Sequence, residues 1–220
     1  MTRVMTLFLA LAVALAPLGC EKKPEGPLRG SGVGSKATRS TPPFQKLRVG
    51  GVVRAEVEVG KPASLELLGD DNLLPLVSSK VVAGTLVIEP DRVLKTSQPL
   101  VARITPPSLD GVDLVASSSG FVKGVKTSHF VARLAGAARL HLAGSNGTVE
   151  VVTKAAAQAD LRDFAVASAH VTTSEAARVE LGHVETLEVH QKGPSLVTYQ
   201  GSPELKRTVV PPARLVRTGT

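Results

Sequence analysis

From Phe44 onward the chain is built of short runs in which aliphatic residues alternate with polar or charged ones, and in its second half these runs return about every 18 to 20 residues. An alternation of period two puts aliphatic side chains on one face of a strand and charge on the other. It is clearest in Val57-Glu58-Val59, Leu65-Glu66-Leu67, Arg139-Leu140-His141-Leu142, Val149-Glu150-Val151, Arg178-Val179-Glu180-Leu181 and Leu187-Glu188-Val189-His190. One segment departs from this pattern. Asp70-Asp71-Asn72-Leu73-Leu74-Pro75 predicts a short helix near residues 71–79, with Asp or Asn capping its first turn and Pro75 tolerated early in it.

A fixed recurrence of strand-like runs predicts a solenoid, in which each repeat is one coil stacked on the last. Phe121, Leu140, Asp160, Val179 and Val197 fall in successive runs, and Val112, Val131, Val149 and Val166 form a second series. Turn signals separate the runs at Ser117-Ser118-Ser119-Gly120, Ala135-Gly136, Gly144-Ser145-Asn146-Gly147, Gly182-His183 and Gly193-Pro194. A parallel stack advances about 4.8 Å per coil, so about eight coils would form a rod of about 40 Å. Regularly spaced short strands also suit a β-sandwich, which stands as the alternative. Ala137, Ala138, Ala155, Ala156 and Ala157 favour the solenoid, because tight corners accept small side chains. Each inward Val or Leu contributes roughly 1.5 to 3 kcal/mol when buried, so a core poor in aromatic residues is sufficient.

The N-terminus has a different character. Met1-Thr2-Arg3 precedes an uncharged apolar run from Val4 to Ala16, which matches the positive n-region and apolar h-region of an export signal. The run is short for a membrane-spanning helix. It closes in Ala16-Pro17-Leu18-Gly19-Cys20, which resembles a lipobox, although Pro17 and Leu18 are shifted relative to the usual pattern. Cys20 is the only cysteine, so it is expected to carry the lipid that holds the chain to a membrane. Multiple acyl chains hold such a protein stably where one would not.

The predicted organisation is therefore a signal peptide at 1–19, a lipidated Cys20 with a flexible tether through residue 43, a β domain at 44–210 and a basic tail at 211–220. The tether expectation rests on composition, because residues 21–43 are dominated by Lys, Arg, Gly, Ser, Thr and Pro and hold few large apolar side chains. As a coil it would span roughly 25 to 30 Å.

Phe44-Gln45-Lys46-Leu47-Arg48-Val49, Val57-Glu58-Val59-Gly60, Asp70-Asp71-Asn72-Leu73-Leu74 and Gly84-Thr85-Leu86-Val87-Ile88 follow one another in an order that resembles the opening of the auto-transporter adhesin head domain, the head GIN domain. Pro107-Ser108-Leu109-Asp110-Gly111-Val112, Ala116-Ser117-Ser118-Ser119-Gly120 and Val197-Thr198-Tyr199-Gln200-Gly201-Ser202-Pro203 continue the resemblance, which covers roughly residues 44–210. The family's Ser-Gly-Ser-Gly turns are replaced here by Ala135-Gly136-Ala137-Ala138 and Thr153-Lys154-Ala155-Ala156. The resemblance implies a right-handed parallel β-helix and leaves activity open, since one fold hosts many functions.

Chemistry-bearing residues are sparse in pattern. His129, His141, His170, His183 and His190 accompany no nucleophile motif. Glu188 and His190 share an outer strand face and read as solvated polar residues rather than metal ligands. Asp160, Arg162 and Asp163 form the best polar cluster, a weak candidate for the carboxylate and base of a polysaccharide lyase, which is the enzymatic alternative. Asp110 and Asp113 are expected to bond backbone amides. Asn146-Gly147-Thr148 reads as a turn and is assigned no sugar. No catalytic residue, metal site or cofactor is expected.

A formal charge of +7 suits anionic surfaces such as headgroups or acidic polysaccharide, and Lys22, Lys23, Arg29, Lys36 and Arg39 cluster near the anchor. Export and the shortage of aromatic side chains, with no Trp and one Tyr, disfavour nucleic acid and also argue against a sugar site built on aromatic stacking. The expectation is a non-enzymatic lipoprotein of the cell envelope, anchored at Cys20 in the outer membrane. Its partner would be anionic polysaccharide or another envelope protein. A periplasmic accessory or sensor domain that pairs through an uncovered terminal coil is a further alternative.

Overall fold

The computed structural model describes residues 26–219. The predicted signal peptide, Cys20 and the first part of the predicted tether lie outside them. The chain opens with β1 (Leu28–Arg29), β2 (Gly34–Arg39), β3 (Lys46–Val49), β4 (Arg54–Glu58) and β5 (Ser64–Asp70). A single 3-10 turn at Leu74–Leu76 follows, then β6 (Val77–Val82), β7 (Thr85–Pro90), β8 (Leu94–Lys95) and β9 (Val101–Thr105). The coils proper are β10 (Gly111–Leu114), β11 (Ser119–Leu134), β12 (Arg139–Thr153), β13 (Gln158–Leu161), β14 (Phe164–Thr173) and β15 (Arg178–His183). They finish with β16 (Thr186–Gln191), β17 (Leu196–Gln200), β18 (Glu204–Val209) and β19 (Arg214–Arg217).

These strands stack as a parallel β-solenoid of about five turns rather than eight, and not as a sandwich. One face runs β7-β3-β10 and on through the C-terminal halves of β11 and β12 to β14, β16 and β18. The other runs β9-β4, through the N-terminal halves of β11 and β12, to β13, β15, β17 and β19. β11 and β12 bend across both faces without a break, so Gly144-Ser145-Asn146-Gly147, expected as a turn, is strand. There the backbone forms a short third sheet, with Val125↔Gly144 and Gly144↔Phe164 in register.

Aliphatic columns fill the interior. Leu47, Val112, Ala132, Val151, Val171 and Val189 stack in one buried column, and Ala55, Gly120, Leu140, Ala159, Val179 and Val197 in another. The expected series were partly out of register. Leu140, Val179 and Val197 do share a column, but Phe121 and Asp160 lie one residue along and face outward. Val131 pairs with Gly111 and Val166 belongs to the third sheet, so the second expected series is not a column at all. A slip of one residue transfers a side chain to the opposite face.

The corner that returns the chain from the first face to the second is built from a stack of left-handed residues: Gly51, Ala116, Gly136, Ala155, Glu175 and Gly193, all with φ between +60° and +78°. Two residues later the chain turns a small or slender buried side chain inward, at Val53, Ser118, Ala138, Ala157, Ala177 and Ser195. The alanines expected at tight corners are therefore found there. Ser118 satisfies its hydroxyl by donating to the Val49 and Val115 carbonyls at 3.1 and 2.9 Å.

The N-terminal end is covered, and this overturns two expectations. Gly34–Arg39 lies within the predicted tether, yet it forms an antiparallel edge strand on β5. Arg39 clamps it by donating to the Leu74 and Val77 carbonyls and to Ser79 Oγ. The predicted helix near 71–79 shrinks to its 3-10 turn, because Asp70, Asp71 and Asn72 cap the incoming chain instead. Asp70 accepts from the backbone N–H of Gly32, Ser97 and Gln98 at 2.8 to 3.1 Å, and Asn72 accepts from the Ser31 N–H at 2.9 Å.

At the other end β18 pairs only with β16 and β19 only with β17 among the described residues. The predicted tail at 211–220 thus contributes a strand to the last coil. Lys206, Arg207, Arg214 and Arg217 lie on these last two strands.

Candidate functional site

The second face presents two outward columns, set by the parallel register. Glu56, Phe121, His141, Asp160 and Glu180 follow one another in the first. Arg54, Ser119, Arg139, Gln158 and Arg178 follow one another in the second, two residues earlier along each strand. Basic and acidic side chains therefore face each other across neighbouring columns, with one aromatic residue between them.

Phe121 is 44% exposed, the most exposed of the large aromatic side chains in the described residues. Its ring lies 6.0 Å from that of His141 at a tilt of 41°, and the Arg54 guanidinium sits 4.5 Å from its centroid. Such a cation–π contact helps hold the ring in place. A groove of about 520 Å³ opens on one side of Phe121, lined by Arg139, His141, Gln158, Asp160 and Glu180. A second, of about 610 Å³, opens on the other, lined by Arg54, Glu56, Arg103 and Lys123.

Of the candidate cluster Asp160, Arg162 and Asp163, the first two form a bidentate pair with Nε to Oδ1 at 2.9 Å and Nη2 to Oδ2 at 2.7 Å. Asp163 adds its charge to the surroundings of Arg162 but forms no hydrogen bond or ion pair with it. It reaches His141 Nε2 at 3.5 Å, while His141 Nδ1 lies 3.4 Å from Asp160. Arg162 Nε also sits 3.2 Å from Glu180, which holds Arg178 at 2.7 Å. The hydrogen bond from Arg162 outweighs partial burial and lowers the Asp160 carboxyl to a pKa of about 2. The same pair pushes the Arg162 guanidinium above its ordinary value, which is opposite to what a lyase base requires.

On the first face Glu188 gathers Lys206 at 2.8 Å, His170 at 3.2 Å and His190 at 3.2 Å. Hydrogen bonds from Lys206 and then His190 lower the Glu188 carboxyl to a pKa of about 2. No group of three or more His, Cys, Asp or Glu is arranged to hold a metal ion among the described residues. Asp113 binds the Arg48 guanidinium rather than a backbone amide, and Asp110 accepts from Thr127 Oγ1 at 3.3 Å.

The sequence pattern aligns Phe121 with Leu140, which faces inward, whereas the structure turns Phe121 outward on the strand next to Arg139. Gly120 was the available signal. Its added Cβ would meet Leu114 at 3.0 Å and Leu140 at 3.3 Å, so glycine occupies the inward position and Phe121 must face out.

A family model described as "Putative auto-transporter adhesin, head GIN domain" matches residues 43–203. Among solved structures, a putative adhesin from Bacteroides fragilis has a TM-score of 0.72 at 15% identity, covering 87% of this chain and 100% of its own. A putative adhesin from Parabacteroides merdae has a TM-score of 0.54 at 12% identity, covering 87% of this chain and 99% of its own. A putative lipid binding protein from Parabacteroides distasonis has a TM-score of 0.53 at 14% identity, covering 88% of this chain and 100% of its own. At these identities the likeness concerns the fold. No curated protein matches the chain.

Proposed function

We propose, from the premise that this chain belongs to the auto-transporter adhesin head GIN domain family, that it is a non-enzymatic contact module of the cell envelope whose second face binds glycan around Phe121. The observation that carries this reading is the exposed Phe121 ring between two grooves. An exposed aromatic face offers a sugar ring an apolar surface, and the flanking carboxylates and amide offer partners to hydroxyl groups. The solenoid keeps these groups on hydrogen-bonded strands, so the surface needs little ordering to bind. Envelope protein is the competing partner class. Membrane attachment through Cys20, in the outer membrane, belongs to the same proposal and rests on the residues before Leu28.

A glycan array probed with the full chain and with Phe121→Ala tests the binding reading. Retention of specific glycans by the wild type and their loss in the variant is the expected result. Equal binding by both forms would sink the role of Phe121. The location is tested by fractionating cells that express wild type or Cys20→Ser and treating intact cells with protease. A wild-type protein that stays membrane-bound and open to protease supports surface contact, and full protection rules it out.

A second reading concerns lipid. A largely apolar groove of about 530 Å³ is lined by Val52, Pro90, Val93 and Leu94 beside the entering chain, where the Leu28 N–H donates to the Val93 carbonyl at 3.0 Å. Val93 is 73% exposed and Cys20 precedes Leu28 by eight residues, which would bring this end toward the headgroups of the membrane holding the anchor. Reduced vesicle binding by Val93→Asp in the Cys20→Ser background would support it, and unchanged binding would exclude it.

A further inference from the structure

Arg139 stands apart from the other cations that line the two grooves beside Phe121. Arg54 is held by Glu56 at 3.2 Å and by the Phe121 ring. Arg103 lies 3.5 Å from Glu56 and 3.7 Å from Glu66, Lys123 lies 3.6 Å from Glu58, and Arg162 and Arg178 share Glu180. Arg139 is exposed, lines the groove beside Phe121 and makes no ion pair or side-chain hydrogen bond among the described residues.

The nearby acids do not compensate it. Asp160 is taken up by the Nε and Nη2 groups and the backbone N–H of Arg162, and Glu180 lies between Arg162 and Arg178. The groove thus holds one uncommitted guanidinium, one coil from an exposed aromatic ring. A guanidinium presents a planar fork of donors that matches an anionic oxygen pair. Gln158 lies directly opposite Arg139 on the next strand and carries both a donor and an acceptor for a hydroxyl.

We propose that this groove takes an acidic sugar unit, with its ring against Phe121 and its anionic substituent on Arg139. This rests on the glycan reading above and names the class of glycan. Neighbouring coils lie about 4.8 Å apart, so an oligosaccharide running along the solenoid axis meets a fresh pair of outward columns with each coil. The two forms of acid that suit the fork, carboxylate and sulfate, are separated by the test.

Isothermal titration of the purified full chain at physiological ionic strength would use three probes of matched length: a uronate oligosaccharide, a sulfated one and a neutral one. The variants are Arg139→Ala, Arg139→Lys, Phe121→Ala and Lys154→Ala, the last removing one positive charge from an exposed site at the corner. At least one acidic probe should bind about tenfold or more tightly than the neutral one. Arg139→Ala should abolish that preference, Arg139→Lys should restore part of it, and Lys154→Ala should leave it intact. The acidic probe that binds more tightly identifies the substituent. Equal losses in Arg139→Ala and Lys154→Ala would mean diffuse charge attraction and overturn the proposal. Neutral and acidic probes bound alike, with Phe121→Ala still disruptive, would overturn the acidic class and leave the glycan reading standing. Binding of no probe by the wild type would sink both.

Discussion

Arg162 grips Asp160 with both ends of its guanidinium fork, at 2.9 and 2.7 Å, although the two residues are only two apart on one strand end. The hydrogen bond from Arg162 holds the Asp160 carboxyl at a pKa of about 2. Its folded value lies below the ordinary carboxylate value of about 3.9, so its contribution to stability is complete above that pH and is lost as the pH falls toward 2. A carbon-detected NMR titration should find the Asp160 midpoint near 2 in the wild type and at a higher pH in Arg162→Ala, which keeps only the backbone N–H of residue 162 and His141 as partners. A wild-type midpoint near 4 would contradict the pairing.

Asp70 ties two separate backbone segments, at Gly32 and at Ser97-Gln98, into the N-terminal cap. Burial pushes its carboxyl upward, but the N–H groups of Gln98, Ser97 and Gly32 outweigh this and leave it below the usual aspartate value. In Asp70→Ala those three donors lose their acceptor. Hydrogen exchange should accelerate across residues 28–39 and at Ser97 and Gln98, while β12 and β14 keep their protection. Uniform acceleration along the chain would show that the cap is not a separate unit.

Gly136 stacks on Ala116 at the corner. Its φ is +78°, and an added Cβ would stand 2.8 Å from the Ala116 carbonyl oxygen. Gly136→Ala should cost about 1 to 3 kcal/mol from backbone strain. Ala155→Gly, one coil further on, should cost less, because glycine adopts the left-handed conformation at φ +60° without strain. Urea midpoints with unchanged m-values would measure both. An equal loss in the two variants would remove the stacking explanation.

Phe121 and Phe130 lie on the same strand, β11, and should respond to truncation by very different amounts. Phe130 is fully buried and its ring is 6.1 Å from that of Phe164. Phe130→Ala should cost about 3 to 5 kcal/mol. Phe121→Ala should cost about 1 kcal/mol or less, since it gives up an exposed ring and one cation–π contact. Thermal or urea unfolding distinguishes them. A large loss at Phe121 would mark it as a packing residue and weaken its assignment to binding.

Much of the architecture was legible in local patterns. The alternation in Val149-Glu150-Val151 and Leu187-Glu188-Val189 specifies strands with one buried face, and the 18-to-20-residue recurrence with alanine-rich corners specifies stacked coils. Composition misled at Gly34–Arg39. That strand lacks a large apolar side chain, yet it is held by backbone pairing to β5 and by the Arg39 clamp. Hydrogen bonds of the backbone leave no trace in side-chain hydropathy.

The candidate site shows where local patterns stop. Asp160 and Arg162 are close enough in sequence for their pairing to be anticipated, but Phe121, Arg139 and Gln158 come from three successive coils. Their meeting depends on coil lengths and on the register shift between Val122 and Val125. Period-two alternation acts within a few residues, so the residue order already commits the chain to strands with an aliphatic inside and a charged outside. Which outward side chains stand beside one another follows from the stacking of the coils, because register is set by hydrogen bonds between them, and a shift of one residue exchanges the two faces.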